Sequence, residues 1–383
     1  MKIGELYFWE LEPSPHKLPL FCAMKRRPDV GSVFYVADQD LGEARRAQGW
    51  AVDRYGSQTG VIVAPGDDEV ERIVRMSDPQ SIHVFSGMHW WRTVVVGLAA
   101  AIRHRRRFGI LHEPRVLEGV QGLVRLAHSW LTESRLRRHA EFVLAVGRHG
   151  PAWFRLAGFG DRRIFPFAYF LENNAADPSR WSAAARPRVA YVGRLETLKG
   201  VDVFLDAIAL IRSDVEVHIA GHGSLEGLVR QRVAAGTKTC VFHGVVPIGE
   251  MTGFFDRTDI LALPSVTRDD GWGAVVSEAL FRGVAVVTSD RIGASICATV
   301  PGCGRMVRAG DPRALAGAVD DLIACGELGA ADREHRRRWA AGHLSAEAGA
   351  AYLMAIFDHL YGGAPRPADY IRSSFCPPQA LTA

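Results

Sequence analysis

Residues 188–208, RVAYVGRLETLKGVDVFLDAI, hold a complete strand-turn-helix unit. Arg188 to Val192 is a short β-branched and aromatic run, and Val203, Phe204, Ala207 and Ile208 then line one side of a helix. Gly193 and Gly200 bound the turn between them, which carries Arg194 and Lys199. A planar guanidinium fork and a mobile ammonium, placed where a strand ends and a helix begins, suit a diphosphate. The turn has neither the G-x-x-x-x-G-K-[ST] of a P-loop nor the G-x-G-x-x-G of a dinucleotide site. Taken alone it also reads as a surface loop.

The alternation continues in both directions. Upstream, strands are expected at residues 32–37, 60–64, 82–85, 108–111 and 142–146, with helical stretches between most of them. Downstream they are expected at 215–220, 240–243, 260–263 and 284–288. Strands alternating with helices predict parallel sheets built from βαβ units, an α/β fold. Residues 173–187, with NNAADPS and AAARP, follow neither period and mark a linker. Two Rossmann-like domains are therefore expected, 1–173 and 174–345, facing across a cleft. Residues 346–383 form a helix and tail, the helix carrying Tyr352, Leu353, Ile356, Phe357 and Leu360 at three-and-four spacing. Residues 363–383 suggest no function.

The chain has 383 residues, 48% hydrophobic and 23% charged, which excludes disordered and fibrous classes and agrees with two α/β cores. The opening MKIGELYFWELEPSPH lacks the basic end and apolar run of a signal peptide, so a cytoplasmic location is expected. Cys22, Cys240, Cys297, Cys303, Cys325 and Cys376 form no C-x-x-C pair, which argues against a zinc ribbon or a disulfide scaffold. The formal charge is +4 overall, yet residues 1–172 hold 24 Lys+Arg against 19 Asp+Glu. Nine arginines face three acids between Arg103 and Arg138, beside Trp130, Leu131 and Leu136. That segment suits an anionic membrane surface, hence peripheral association at the inner face of the cytoplasmic membrane, or it is a solvated helix face. No helix-turn-helix, zinc-finger or aromatic RNA-binding signature is present, so nucleic acid is not expected as a partner.

A second cluster follows residues 260–263: PSVTRDDGWG and then a short helix, 274–282, ended by Gly283. Its first-turn N–H groups, at Gly273, Ala274 and Val275, can receive phosphate oxygens, and Glu278 can accept two hydroxyl hydrogen bonds from a ribose. Asp270 precedes Glu278 by eight residues, at most ~12 Å along a helix, about the reach from the ribose to the sugar of a nucleotide-sugar. Two surface acids flanking a helix is the plainer alternative.

GRLETLKG at 193–200, GHGS at 221–224, VFHGVVP at 241–247 and PSVTRDDGWGAVVSEALFRGVAVVTSD at 264–290 resemble, in content and spacing, the carboxy-terminal domain of family 4 retaining glycosyltransferases of the GT-B type. The resemblance covers roughly residues 188–325. It implies that Gly193, Arg194 and Lys199 hold the donor diphosphate, with Gly271, Trp272, Gly273 and Ala274 beside it. It further implies that Glu278 binds the ribose, that Asp270 contacts the transferred sugar, and that Gly244 and Val246 lie near the base. The family usually has Glu where Asp270 stands. It places a histidine after a central strand of the first domain against the sugar; His112 has that position, with His83 and His89 as rivals, His83 the better packed strand residue. Pro13-Ser14-Pro15-His16-Lys17 stands in place of the usual glycine loop, so His16 or Lys17, with His89, are expected on the acceptor side. FPFAYF at 165–170 reads as aromatic burial beside the linker.

Breaking an anomeric C–O bond to a nucleotide diphosphate puts negative charge on the leaving group, which Arg194 and Lys199 can stabilise. No metal and no resident cofactor are then needed; the nucleotide-sugar is a co-substrate. The expectation is a retaining hexosyltransferase acting on a sugar or lipid-linked sugar in bacterial polysaccharide or glycolipid assembly. The tail helix is expected to cross back to the first domain, as in relatives. Three alternatives stand beside it. Asp38-Gln39-Asp40 hints at a metal-dependent transferase; a nucleotide-sugar 2-epimerase would share the scaffold; and a binding subunit without catalysis would fit the departures in the first half.

Overall fold

Thirteen strands fall into two separate parallel sheets, in a computed structural model that describes residues 1–47, 50, 60–173, 186–236, 238–268 and 271–373. The first sheet contains β1 (Ile3–Glu10), β2 (Val30–Ala37), β3 (Val61–Val63), β4 (Ile82–Ser86), β5 (Arg107–His112), β6 (Phe142–Val146) and β7 (Ile164–Phe167). Their order is β3-β2-β1-β4-β5-β6-β7. The second contains β8 (Arg188–Val192), β9 (Glu216–Ala220), β10 (Cys240–Gly244), β11 (Ile260–Leu263), β12 (Ala285–Ser289) and β13 (Gly304–Val307), ordered β10-β9-β8-β11-β12-β13. Both are doubly wound α/β sheets: the chain runs outward on one side of β1 or β8, then returns to the other. The α/β reading therefore holds for both halves.

Helices cover both faces of such sheets, so central strands are apolar on both sides. β4, β6, β11 and β12 are buried at every position. In the first unit Trp9, Phe85, Phe108, Val143 and Trp153 share one core. In the second, Val189, Tyr191, Phe204, Val217, Ile260 and Val287 share another. The two compact units are Met1–Glu172 with His343–Cys376, and Asn173–Gly342. The helix Ala346–Tyr361 thus belongs with the first unit. Ser345 caps it by accepting from the Ala348 amide at 3.1 Å. It buries Tyr352, Leu353, Ile356 and Phe357, the apolar stripe seen in the sequence, with Phe357 edge-on to Phe142 and Tyr352 Oη donating to the Pro166 carbonyl at 3.1 Å.

Three strands depart from the sequence expectation. β1 lies inside its sheet, between β2 and β4, although Gly4, Glu5 and Glu10 interrupt its apolar pattern. β7 contains Pro166, which a ladder tolerates only because β7 is the edge strand. Residues 165–167 are therefore sheet as well as aromatic packing. β13 opens on a glycine, includes Arg305, and is the other sheet's edge.

Candidate functional site

In the second unit, the switch of winding direction lies between β8 and β11, where loops from both strands leave the carboxyl edge of the sheet. The β8 loop holds Gly193, Arg194 and Lys199. Tyr191, fully buried, sends its hydroxyl back to donate to the Arg194 carbonyl at 2.8 Å. Burial pushes the Tyr191 phenol far above its ordinary range, so it stays a donor. The Arg194 residue itself is exposed and Lys199 half-buried.

Neighbouring loops hold this turn by backbone bonds. The Leu195 amide donates to the His222 carbonyl at 2.8 Å, and the Leu225 amide donates back to Leu195 at 2.9 Å. Glu196 accepts from the Ser224 amide at 3.1 Å and from its hydroxyl at 2.7 Å, and these bonds hold the carboxyl below its usual range. On the other side the Val266 amide donates to the Leu198 carbonyl at 3.0 Å, which ties the β8 loop to the β11 loop. Two glycines are required here. Gly221, at φ +144°, packs so closely that a Cβ would lie 1.8 Å from the Gly193 carbonyl oxygen. Gly200, at φ +70°, would place a Cβ 2.2 Å from that of Pro264.

The β11 loop passes through Gly271 and Gly273, both left-handed, into the helix Ala274–Phe281. The Gly271 and Trp272 carbonyls accept from the Gly293 and Ala294 amides at 2.9 and 2.7 Å. Trp272 is wholly buried, its Nε1 donating to Ser277 Oγ at 3.0 Å. Ala274 and Glu278 are half-buried, Glu278 one turn into the helix. Because Gly273 is left-handed, the helix does not reach back toward residue 270, and a straight helical span does not apply there. Asp270 lies outside the described residues. Gly244, at φ +66°, accepts from the Gly221 amide at 2.7 Å, and Val246 lines a groove of about 650 Å³ with His243, Glu250, Phe254 and Arg257.

The first unit carries the remaining candidates. His112 ends β5; its Nδ1 bonds the Glu113 carbonyl, which leaves Nε2 as the acceptor, and burial lowers its pKa so that the ring is neutral. Lys17 is caged: its Nζ lies 3.4 Å from Glu10 Oε1, 3.3 Å from Ser86 Oγ and 4.4 Å from the centre of the Tyr169 ring. Ser86 Oγ also donates to Glu10 at 2.6 Å. His16 is edge-on to Trp50. His89 Nε2 bonds the buried Glu133 at 2.9 Å. His83 is a packed strand residue as read: Nδ1 accepts from Trp9 Nε1 at 3.1 Å, Nε2 meets Ser81 Oγ at 3.0 Å, and burial lowers its pKa to about 3.

The D-x-D at 38–40 has local duties. Asp38 accepts from the Thr93 amide and hydroxyl at the start of the helix Arg92–Arg103, and Asp40 accepts from the Leu41 amide and from Arg46. Sequence reading missed Tyr191, Glu196 and Ser224 as supports of the cationic turn. The two glycines of GHGS were their only signal.

Residues 186–325 match the family described as Glycosyl transferases group 1. A relative from Erwinia amylovora, the amylovoran biosynthesis glycosyltransferase AmsK, is 31% identical over 285 residues, covering 69% of this chain and 66% of that one. The chain belongs to the group 1 glycosyltransferases. The Mycolicibacterium vanbaalenii D-inositol 3-phosphate glycosyltransferase is 31% identical over 191 residues, 45% of this chain and 41% of that protein. The chain spans about two fifths of the length of that relative. Among solved structures, Anabaena Alr3699/HepE in complex with UDP and glucose superposes with a TM-score of 0.69 at 16% identity, covering 93% of this chain and 99% of that one. The lipopolysaccharide outer core galactosyltransferase WaaB superposes at 0.68 and 12% identity, covering 94% and 100%. These likenesses show the GT-B fold for this chain.

Proposed function

We propose that this chain transfers a hexose-type sugar from a nucleotide diphosphate sugar to an acceptor hydroxyl, with retention at the anomeric carbon and without a metal. One observation carries the reading: the Arg194–Lys199 turn is fixed by backbone bonds from two sides at the switch point of the second sheet, beside the N-terminal end of the helix Ala274–Phe281. Cations carried on a fixed backbone, with amide dipoles beside them, need little reorganisation as the leaving diphosphate takes up charge. Glu278 is assigned to the ribose hydroxyls and Gly244 and Val246 to the base. Asp270 is assigned to the transferred sugar, and the neutral His112 offers Nε2 to a sugar hydroxyl. In a same-face displacement the breaking C–O bond leaves its electron pair on the β-phosphate, which takes the acceptor's proton while the acceptor oxygen bonds the same face of the sugar. Lys17, His16 and His89 are assigned to the acceptor side.

HepE is described with UDP and with UDP-glucose, which supports a uridine donor, and AmsK is named for amylovoran biosynthesis, which supports polysaccharide or glycolipid assembly. The test is a panel of UDP-, GDP-, ADP- and dTDP-sugars, read first as thermal stabilisation. A ligand at 100 times its Kd adds about 2.7 kcal/mol to stability. Product anomers are then read by NMR with and without EDTA. Stabilisation by one base class, a retained anomer and indifference to EDTA are expected. No stabilisation by any donor overturns the reading. Donor consumed without acceptor points to an epimerase, and tight binding without turnover to a binding subunit.

A further inference from the structure

The helix Gly119–Thr132 is inverted relative to an ordinary surface helix. Its buried positions are Gly122 and Ser129, with Leu126 partly buried. At the next turn the same face continues to Glu133, fully buried and bound by Ser129 Oγ, His89 Nε2 at 2.9 Å and Arg115 Nη2 at 2.6 Å. The outward stripe is the apolar one. Val120 is 77% exposed, Leu123 66%, Val124 61% and Leu131 81%, and Ala127 is exposed between them. These positions follow i, i+3, i+4, i+7 and i+11, a single helical face. Trp130 extends the stripe: its ring packs beside Gly158, Nε1 donates to the Leu156 carbonyl at 3.0 Å, and the exposed Leu156 side chain continues the apolar surface. A helix whose solvent side is oily and whose protein side is ionic is built to meet something apolar.

The charge around the stripe says what. Between residues 119 and 139 Arg125, Arg135 and Arg138 are exposed, as are His128 and His139, and the one carboxylate, Glu133, is buried. Arg137 lies over the Trp130 ring at 4.8 Å and donates to the Ser129 and Trp130 carbonyls. Arg148, Arg162 and Arg163 are also exposed on the following segments. Packing this face against a second copy of itself would set arginine against arginine, which opposes a two-fold contact. A bilayer with anionic headgroups asks for no matching groove, only an apolar ridge a few ångströms deep with cations along its flanks. We infer that Gly119–Thr132 is an interfacial helix that seats the first unit on an anionic lipid surface, with Val120, Leu123, Val124, Trp130 and Leu131 among the acyl chains. The helix lies on the surface and does not cross it: among the described residues no helix is long and apolar enough to span a membrane. The inference goes beyond the donor reading and does not depend on it.

The test is co-sedimentation of the full chain with phosphatidylcholine vesicles, with and without about 30 mol% phosphatidylglycerol. The wild type should sediment with the anionic vesicles and lose them as salt rises. Leu123→Glu/Leu131→Glu should weaken binding at least tenfold while melting as the wild type does, since both residues are exposed. Arg125→Glu/Arg135→Glu leaves the apolar face intact and should abolish the preference for phosphatidylglycerol. Absence of wild-type sedimentation, or equal sedimentation by the Leu123→Glu/Leu131→Glu variant, overturns the inference. So does self-association of the wild type without lipid that this variant abolishes, since the occupant is then a second copy.

Discussion

The Tyr191 hydroxyl donates at 2.8 Å to the carbonyl of Arg194, so a buried core side chain sets the backbone from which the site's guanidinium projects. Tyr191→Phe removes that donor and keeps the ring. A stability loss of about 1 kcal/mol is expected from one missing hydrogen bond. Transfer should fall more than donor binding does, because the loop keeps its charges and loses their placement. A kcat against KM comparison for the variant, with urea melts, checks this.

Arg194→Ala and Lys199→Ala remove the cations themselves. Each should cost roughly 10²-fold or more in transfer rate. Both should also reduce stabilisation by the nucleoside diphosphate. Near-normal turnover in either would remove that residue from the site.

Gly200 is the joint between the β8 loop and Pro264. Gly200→Ala forces a Cβ into a left-handed position 2.2 Å from the Pro264 carbonyl oxygen. The conformation alone costs about 1–2 kcal/mol, and the clash must push the two loops apart. Donor affinity should drop together with the melting temperature, whereas Gly227→Ala, in open space within the helix Glu226–Ala235, should leave donor affinity unchanged and should not lower the melting temperature.

Arg282 caps the C-terminal end of the helix Ala274–Phe281 and donates from Nε to Asp256 at 2.8 Å, both residues being almost wholly buried. Removing one partner strands a buried charge, so Asp256→Ala should destabilise the chain by about 3–5 kcal/mol. Asp256→Leu/Arg282→Met should recover most of that loss. Chemical denaturation of the three proteins decides it.

Burial by itself would raise the Glu133 carboxyl, yet the His89 and Ser129 hydrogen bonds and the Arg115 guanidinium hold it at about 2, against an ordinary 4.5. A depressed folded pKa stabilises the protein above the unfolded value, and that contribution is lost as pH falls from about 4.5 toward 2. Glu133→Gln should therefore be less stable than the wild type by on the order of 3 kcal/mol at neutral pH. The gap should narrow at pH ~3, where the wild type binds protons on unfolding. Denaturant melts at both pH values measure it.

Much of this was legible from residue order because the informative segments are local. Val203, Phe204, Ala207 and Ile208 behind Gly200 announce a helix after a turn, although the buried face is set by Val201, Phe204, Leu205 and Ala207 with Val203 and Ile208 half-buried, and the apolar runs of β4, β6, β11 and β12 announce fully buried strands. The supports of the cationic turn were not legible. Ser224 is 28 residues from Glu196, and their pairing depends on β8 and β9 lying side by side. The packing of Trp272 was not legible either: the residue order sets it between glycines, and only the tertiary structure shows its Nε1 bonded to Ser277. The arginine count pointed at residues 103–138, but charge density cannot say which way a helix is turned. That required the positions of Gly122 and Ser129 against the core, and of Leu123 and Leu131 away from it.

The helix Ala346–Tyr361 closes the first unit, although 170 residues of the second separate it from Glu172. Synthesis at about 5–20 residues per second delivers residues 173–342 before it. For that interval Phe142, which will meet Phe357, and the Pro166 carbonyl, which will meet Tyr352, have no cover. The nascent first unit must wait, greasy flank open, until the second has been made; a stop codon just upstream of Ser345 would forfeit not a tail but the cover of the first unit's core.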